Sequence, residues 1–147
     1  IREIEGHWKL SDNEVLSFYR EKGKFIDKNA RNIVRIDRII KLFPNAQYIH
    51  IIRDGRAVAA SRRVLDMRMG RYDETIEHAA YQWVHFLNYI LKRKHKIKYY
   101  QEVRYEDLCK AHNHFKSKNH KWTNLTNEQK SAMLEIEKKL LKRLYYI

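Results

Sequence analysis

The fold is decided by residues 47–63, which read QYIHIIRDGRAVAASRR. The first six residues are mostly β-branched or aromatic, and Pro44-Asn45 before them and Asp54-Gly55 after them are typical chain-turning pairs. A short apolar run with such borders predicts a buried strand over residues 47–52. The alanine-rich stretch that follows predicts a helix over residues 55–65. The segment is therefore a strand, a tight turn and a helix.

This unit predicts an anion-binding site. Arg53 stands at the carboxyl end of the strand, and ligands of open α/β sheets bind at that edge. The N-terminus of the following helix presents N–H groups and positive potential, which favour a phosphate. Arg53 can add a forked, charge-assisted pair, and Ser61 can donate a hydroxyl hydrogen bond to the same group. The alternative is that Arg53 pairs with Asp54 or with another carboxylate of the protein.

The rest of the chain predicts a helix-rich α/β fold with a parallel sheet flanked by helices. Residues 99–105 predict a second strand, followed by a turn at Glu106-Asp107, and residues 110–121 predict a loop. Two strands are too few for a stable open sheet, so we expect the fold to contain more strands than these residues supply. Helices are predicted from the capping box Ser11–Glu14 to Gly23, over residues 32–43 and 74–94, and from the capping box Thr126–Gln129 onward.

The composition fits one domain over residues 1–147, with a net charge of +13. Such a charge indicates an anionic partner, with a solvated basic surface as the alternative. Cys109 is the only cysteine, so no disulfide can form within the chain, and we expect its side chain to be a small buried apolar group. Without a signal peptide or a membrane-spanning apolar run, the sequence favours the cytoplasm, with a lumenal location as the alternative.

Four ordered segments resemble the family of PAPS-dependent sulfotransferases, where PAPS is 3′-phosphoadenosine 5′-phosphosulfate. The segment from Phe43-Pro44-Asn45-Ala46 through the strand to Arg53-Asp54-Gly55-Arg56 and Ser61 resembles the family's 3′-phosphate-binding motif. The Arg-Asp-Gly-Arg sequence is most similar to the bacterial-type and tyrosylprotein-type branch. The other three similar segments are Asp27-Lys28-Asn29-Ala30-Arg31-Asn32, Glu102-Val103-Arg104-Tyr105-Glu106-Asp107-Leu108, and Lys121-Trp122 with Leu125-Thr126-Asn127-Glu128-Gln129.

The resemblance implies a P-loop-NTPase-like sulfotransferase fold and assigns roles to five residues. Arg53 and Ser61 would hold the 3′-phosphate, Tyr105 would contact the nucleotide, and Arg56 would be a further cofactor-binding residue. Lys28 would be catalytic and would stabilise charge on the oxygens around the transferring sulfuryl group. The alternative for Lys28 is a surface lysine paired with Asp27. No metal is implied.

Two loops of the family have no counterpart in these residues. One is the 5′-phosphosulfate loop, a strand followed by a turn of the Ser-Gly-Thr-Thr type, and the other is the glycine-rich loop of the cytosolic branch. We therefore expect a fold that is incomplete at its N-terminus, with the 5′-phosphosulfate loop upstream of Ile1 in the parent protein.

The function that follows from the resemblance is transfer of a sulfuryl group from PAPS to a hydroxyl or amine acceptor. The positive charge favours an acidic glycan, an acidic peptide or a small molecule as acceptor. One alternative is a catalytically inactive sulfotransferase-like module used for binding or assembly. A second is a basic nucleic-acid-binding α/β module, which rests on charge alone. His112, His114 and His120 cluster in a loop, but their spacing matches no metal-binding motif, so we expect no metal there.

Overall fold

A computed structural model describes residues 9–21, 23–111, 122, 124–144 and 146 of the chain. Two parallel strands and six α-helices form these described parts, and short 3₁₀ helices at Ala30–Arg35 and Lys94–Lys96 connect them. In chain order the elements are α1 Asp12–Glu21, α2 Ile36–Leu42, β1 Gln47–Ile52, α3 Gly55–Arg68, α4 Ile76–Leu91, β2 Tyr99–Arg104, α5 Tyr105–Ala111 and α6 Asn127–Arg143.

The sheet confirms the predicted α/β class with parallel strands. β1 pairs with β2 in parallel register from Gln47 opposite Tyr99 to Ile52 opposite Arg104. Parallel neighbours need a long crossover, and here α3 and α4 lie between the two strands in the chain. Because both strands run in the same direction, their carboxyl ends meet at one edge of the sheet. The residues after Ile52 and after Arg104 are therefore neighbours in space.

The prediction that β1 is buried is wrong for one of its faces. Ile49 is 67% exposed and Ile51 is 54% exposed, whereas Ile52 lies in the core. Successive side chains of a strand point to opposite faces, so Ile49 and Ile51 share a face that the described helices do not cover. Parallel sheets are normally covered on both faces, so this apolar face is a departure from the usual pattern among the described residues.

The core lies between α3, α4 and α6. The apolar stripe predicted for α4 is confirmed, since Ile76, Ala79, Ala80, Trp83, Leu87 and Ile90 are all buried. Small residues of α3, including Ala57, Ala59 and Ala60, allow the helices to approach closely. Buried residues of α6, including Met133 and Leu141, complete this core. This packing fixes the position of α3, whose first turn forms the predicted anion site.

Both predicted capping boxes are present. Ser11 Oγ accepts from the Glu14 N–H at 3.4 Å, and Glu14 Oε2 accepts from the Ser11 N–H at 2.8 Å. In α6 the side chains of Thr126 and Gln129 make the equivalent reciprocal bonds. Each satisfies N–H groups that a helix N-terminus otherwise leaves open, so the sequence pattern marks these helix starts correctly.

Three predicted elements differ from the structure. Glu106 and Asp107 do not form a turn, because they occupy the first turn of α5, where acidic side chains suit the helix dipole. The helix predicted over residues 32–43 is a 3₁₀ segment, Ala30–Arg35, followed by α2. The helix predicted to end at residue 65 continues to Arg68, and Gly70 then turns the chain with a φ of 71°.

Cys109 is buried, as the sequence predicts. No helix within the described residues is long and apolar enough to cross a bilayer.

Candidate functional site

The carboxyl edge of the sheet brings Arg53 and Tyr105 together. Arg53 follows β1 directly, and Tyr105 follows β2 as the first residue of α5. The guanidinium carbon of Arg53 lies 4.8 Å from the centroid of the Tyr105 ring, which is a cation–π contact. A hydrogen bond with the Cys109 thiol raises the pKa of the Tyr105 hydroxyl. Tyr105 is therefore a neutral aromatic surface beside the Arg53 cation.

Ser61 belongs to the helix that starts at this edge. It is the seventh residue of α3, which begins at Gly55, and its side chain is half-buried. Arg53 is therefore just before the helix and Ser61 is in its second turn. The sequence predicted this arrangement from a strand, a turn and a helix, and the structure contains those three elements in that order.

Asp54 caps α3 and binds Arg56. Its Oδ1 accepts from the Arg56 N–H at 2.9 Å, and its Oδ2 lies 2.6 Å from a terminal guanidinium nitrogen of Arg56. The two side chains are only 7% and 14% exposed, so this ion pair is largely buried. The same hydrogen bond raises the pKa of Arg56. Asp54 is thus paired with Arg56. The sequence analysis had considered a pair between Asp54 and Arg53 as an alternative to phosphate binding by Arg53.

This cap changes the predicted source of the N–H donors. The N–H groups at the start of α3 were expected to face an anion, but the Asp54 carboxylate already accepts the Arg56 N–H. Arg56 itself is held by Asp54 and lies over the Trp122 ring, 4.7 Å from its centroid. The Asp54 cap therefore occupies one of the N–H groups at the start of α3.

A hydrogen-bond chain that the sequence analysis missed supports the turn. The backbone N–H of Asp54 donates to Glu106 Oε1 at 3.1 Å, and the Tyr146 hydroxyl donates to Glu106 Oε2 at 2.7 Å. The guanidinium of Arg104 lies 4.5 Å from the centroid of the Tyr146 ring. Glu106 therefore joins the turn after β1 to α5 and to the end of the chain. Tyr146 is 40 residues away from Glu106, and no local pattern indicates such a contact.

The side chains around residue 55 leave no room for any residue other than glycine. A Cβ atom on residue 55 would lie 2.6 Å from Oε2 of Glu137 and 2.8 Å from Cε3 of Trp83. Both distances are shorter than a normal van der Waals contact. The glycine of the Arg-Asp-Gly-Arg sequence therefore allows α3 to begin in direct contact with α4 and α6.

Replacing Gly55 with alanine should destabilise the protein. The added methyl group must displace the Glu137 carboxyl and the Trp83 ring, and overpacking of this kind costs about 1–3 kcal/mol. Urea unfolding checks this value. In a Glu137→Ala background the same substitution should cost less, because one of the two obstructing side chains is then gone. An unchanged cost in that background would show that the carboxyl does not restrict residue 55.

Lys28 belongs to the segment between α1 and the 3₁₀ helix Ala30–Arg35. Its side chain is exposed, and no hydrogen bond or ion pair between described residues joins it to Arg53, Ser61 or Tyr105. It does not pair with Asp27 either. Asp27 Oδ2 instead accepts from the Asn32 amide at 3.0 Å and from the Tyr19 hydroxyl at 3.4 Å.

No group of three or more His, Cys, Asp or Glu side chains within the described ranges could hold a metal ion. The histidine cluster at His112, His114 and His120 lies outside those ranges.

Comparison with known proteins adds one match. No curated protein and no solved structure matches the chain. The model of the sulfotransferase family matches residues 3–118, which include Lys28, Arg53, Ser61 and Tyr105. This match covers well over half of the chain, and the helix-rich α/β structure is consistent with the P-loop-like fold. The chain therefore belongs to the sulfotransferase family.

Proposed function

We propose that the protein is a sulfotransferase that takes its sulfuryl group from PAPS and transfers it to a hydroxyl or amine acceptor. The observation that carries this proposal is the placement of Arg53. It stands at the carboxyl end of β1, against the Tyr105 ring and before the helix that contains Ser61. An arginine at this edge is suited to bind a phosphate ester. Family membership supplies the reaction class.

The proposed roles follow the positions of the side chains. Arg53 forms charge-assisted hydrogen bonds with the 3′-phosphate of the nucleotide, and Ser61 donates its hydroxyl to the same group. Tyr105 contacts the nucleotide with its ring and keeps the Arg53 guanidinium in place. Arg56 supports the site through Asp54, whose carboxylate it neutralises. We propose that residues 1–147 act as a single domain in this role.

The transfer step is assigned to Lys28. Sulfuryl transfer, like phosphoryl transfer, depends mainly on positioning and on stabilising charge as the bond to the leaving phosphate breaks. An exposed ammonium group can approach a bound PAPS molecule and stabilise that charge. With its positive charge the protein favours an acidic glycan, an acidic peptide or a small molecule as acceptor.

A second candidate is a sulfotransferase-like module that binds the nucleotide without catalysis. One observation favours it, namely that the Lys28 side chain is exposed, whereas stabilisation of charge in transfer relies on groups that are fixed in place. Both candidates require the same nucleotide site. They differ in whether the sulfuryl group leaves PAPS.

The test combines binding with transfer. Thermal shift should show stabilisation by 3′-phosphoadenosine 5′-phosphate and little or none by adenosine 5′-phosphate, which lacks the 3′-phosphate that Arg53 binds. Incubation with ³⁵S-labelled PAPS and candidate acceptors then separates the two functions. Transfer that is lost in Lys28→Ala supports the enzyme, and binding without transfer supports the second candidate. Equal stabilisation by the two nucleotides would contradict both.

A further inference from the structure

A buried carboxyl group lies beneath the first turn of α3 and has no role in the proposed chemistry. The Glu137 side chain, on α6, has 0% relative exposure. Neither of its carboxyl oxygens has a hydrogen-bond partner among the residues that the structure describes. Burying an ionised carboxylate without partners costs several kcal/mol, so such a group is normally replaced or kept neutral. A fully buried glutamic acid therefore requires an explanation.

The surroundings of Glu137 are apolar on its own helix and on α4. Met133 and Leu141, one turn before and one turn after it on α6, are both fully buried. Trp83 of α4 and Glu137 both lie within 3 Å of the position that a Cβ on Gly55 would take. The carboxyl group thus contacts the backbone at the start of α3, in a space that water does not reach.

The charged groups that act on Glu137 belong to the start of α3. They are the Asp54 carboxylate and the Arg56 guanidinium, which form the buried ion pair. Burial, and to a smaller extent the Asp54 carboxylate, raise the pKa of Glu137 to about 8. The Arg56 guanidinium acts in the opposite direction. Glu137 is therefore protonated at neutral pH, and it contacts the same turn that follows Arg53.

We propose that Glu137 is a positioning residue. As a neutral carboxyl group it allows the first turn of α3 to pack against α6, and its ionisation displaces that turn and weakens phosphate binding at Arg53. The predicted effect on phosphate binding rests on the proposed function. An ionised Glu137 would face the Asp54 carboxylate without a hydrogen-bond donor of its own. Movement of the turn away from α6 would relieve this repulsion, and Arg53 is two residues from Gly55.

The direction of the pH dependence follows from the number of protons bound in the folded and unfolded states. The carboxyl of Glu137 releases its proton near 4.5 in the unfolded chain and near 8 in the folded protein. Between these values the folded protein binds more protons, so its stability falls as the pH rises through this window. By reciprocity, phosphate binding to the protonated form must raise the proton affinity of Glu137.

The experiment compares the wild-type chain with Glu137→Gln, which keeps the shape of the neutral side chain and cannot ionise. Glu135→Gln, an exposed position two residues earlier on α6, is the matched control. One arm follows the amide resonance of Gly55 by NMR between pH 6 and pH 9.5 without nucleotide. The other arm measures the affinity for 3′-phosphoadenosine 5′-phosphate over the same range.

In the wild-type chain and in Glu135→Gln, the Gly55 resonance should titrate with a midpoint near 8. The affinity should fall above that pH, by at most on the order of tenfold per pH unit for one linked proton. Both effects should be absent in Glu137→Gln, which should bind as well as wild type at pH 7. The same Gly55 titration in Glu137→Gln would overturn the inference. So would a wild-type affinity that declines identically in Glu137→Gln.

The same measurements distinguish failure of the role of Glu137 from failure of the proposed function. If the nucleotide binds and Arg53→Ala weakens binding, but the wild-type affinity is independent of pH, only the role of Glu137 is overturned. If the wild-type chain binds no nucleotide at any pH, the proposed function fails and the inference fails with it.

Discussion

Replacing Arg53 with alanine should weaken binding of 3′-phosphoadenosine 5′-phosphate by roughly ten- to one-hundredfold. A hydrogen bond to a charged group contributes about 1.5–3 kcal/mol, and each 1.4 kcal/mol corresponds to about a tenfold change in affinity. The affinity for adenosine 5′-phosphate should change little, because it has no 3′-phosphate. Isothermal titration calorimetry with the two nucleotides measures the difference.

The matched control for this variant is Arg68→Ala. Arg68 is the last residue of α3 and is exposed, so its replacement removes the same charge at the other end of the same helix. A general electrostatic attraction between a basic protein and an anion would weaken equally in both variants. Nucleotide binding at a specific site that contains Arg53 would weaken only in Arg53→Ala. Equal losses would therefore exclude Arg53 as the phosphate ligand.

Replacing Asp54 with alanine should lower the free energy of unfolding by about 3–5 kcal/mol. Removing one partner of a buried ion pair leaves an uncompensated charge, here the Arg56 guanidinium, and costs about this amount. The cap of α3 is lost as well. Urea unfolding at pH 7 provides the measurement.

Asp37→Ala is the control for this prediction. Asp37 pairs with Arg93 at 2.6 Å, but its side chain is 46% exposed, against 7% for Asp54. Exposed pairs of this kind contribute roughly 0–1 kcal/mol, because both charges remain solvated. A similar small loss in Asp54→Ala would contradict the structural role assigned to the buried pair with Arg56.

The parts of the fold that the sequence predicts best are those with local signals at both ends. β1 has the predicted bounds, because Pro44 limits it on one side and Asp54-Gly55 begins a new element on the other. The two capping boxes are equally local. α5 was predicted as a turn because seven residues are too few to show a helical period.

The exposed face of β1 shows the limit of reading burial from composition. Ile49 and Ile51 are apolar in sequence, but burial depends on which elements pack against them. A β-branched run predicts a strand whether or not both of its faces are covered. The strand assignment could therefore be correct while its predicted burial was wrong.

The sequence predicted that Arg53 and Tyr105 lie together, but it did not indicate the hydrogen bonds of Glu106 that support the turn. Arg53 and Ser61 are close in sequence, and Tyr105 follows the second strand, so the expected topology brings Tyr105 to the edge where Arg53 lies. Tyr146 could not be found, because its contact with Glu106 depends on tertiary structure alone.

Glu137 did have a signal in the sequence. It is four residues from both Met133 and Leu141, which lie on the predicted apolar face of the last helix. Helical spacing therefore placed a carboxyl group among buried residues. A charged residue at an apolar position of a helix indicates either a buried partner or a shifted pKa, and here the structure indicates a shifted pKa.

The most direct test of phosphate binding at Arg53 is an NMR titration of the ¹⁵N-labelled chain with 3′-phosphoadenosine 5′-phosphate. The largest shifts should occur at the Arg53 side chain and in the backbone from Gly55 to Ser61, and they should be absent in Arg53→Ala. Shifts spread over the basic surface, or centred on the basic run at residues 92–96, would contradict a phosphate site at the carboxyl end of β1.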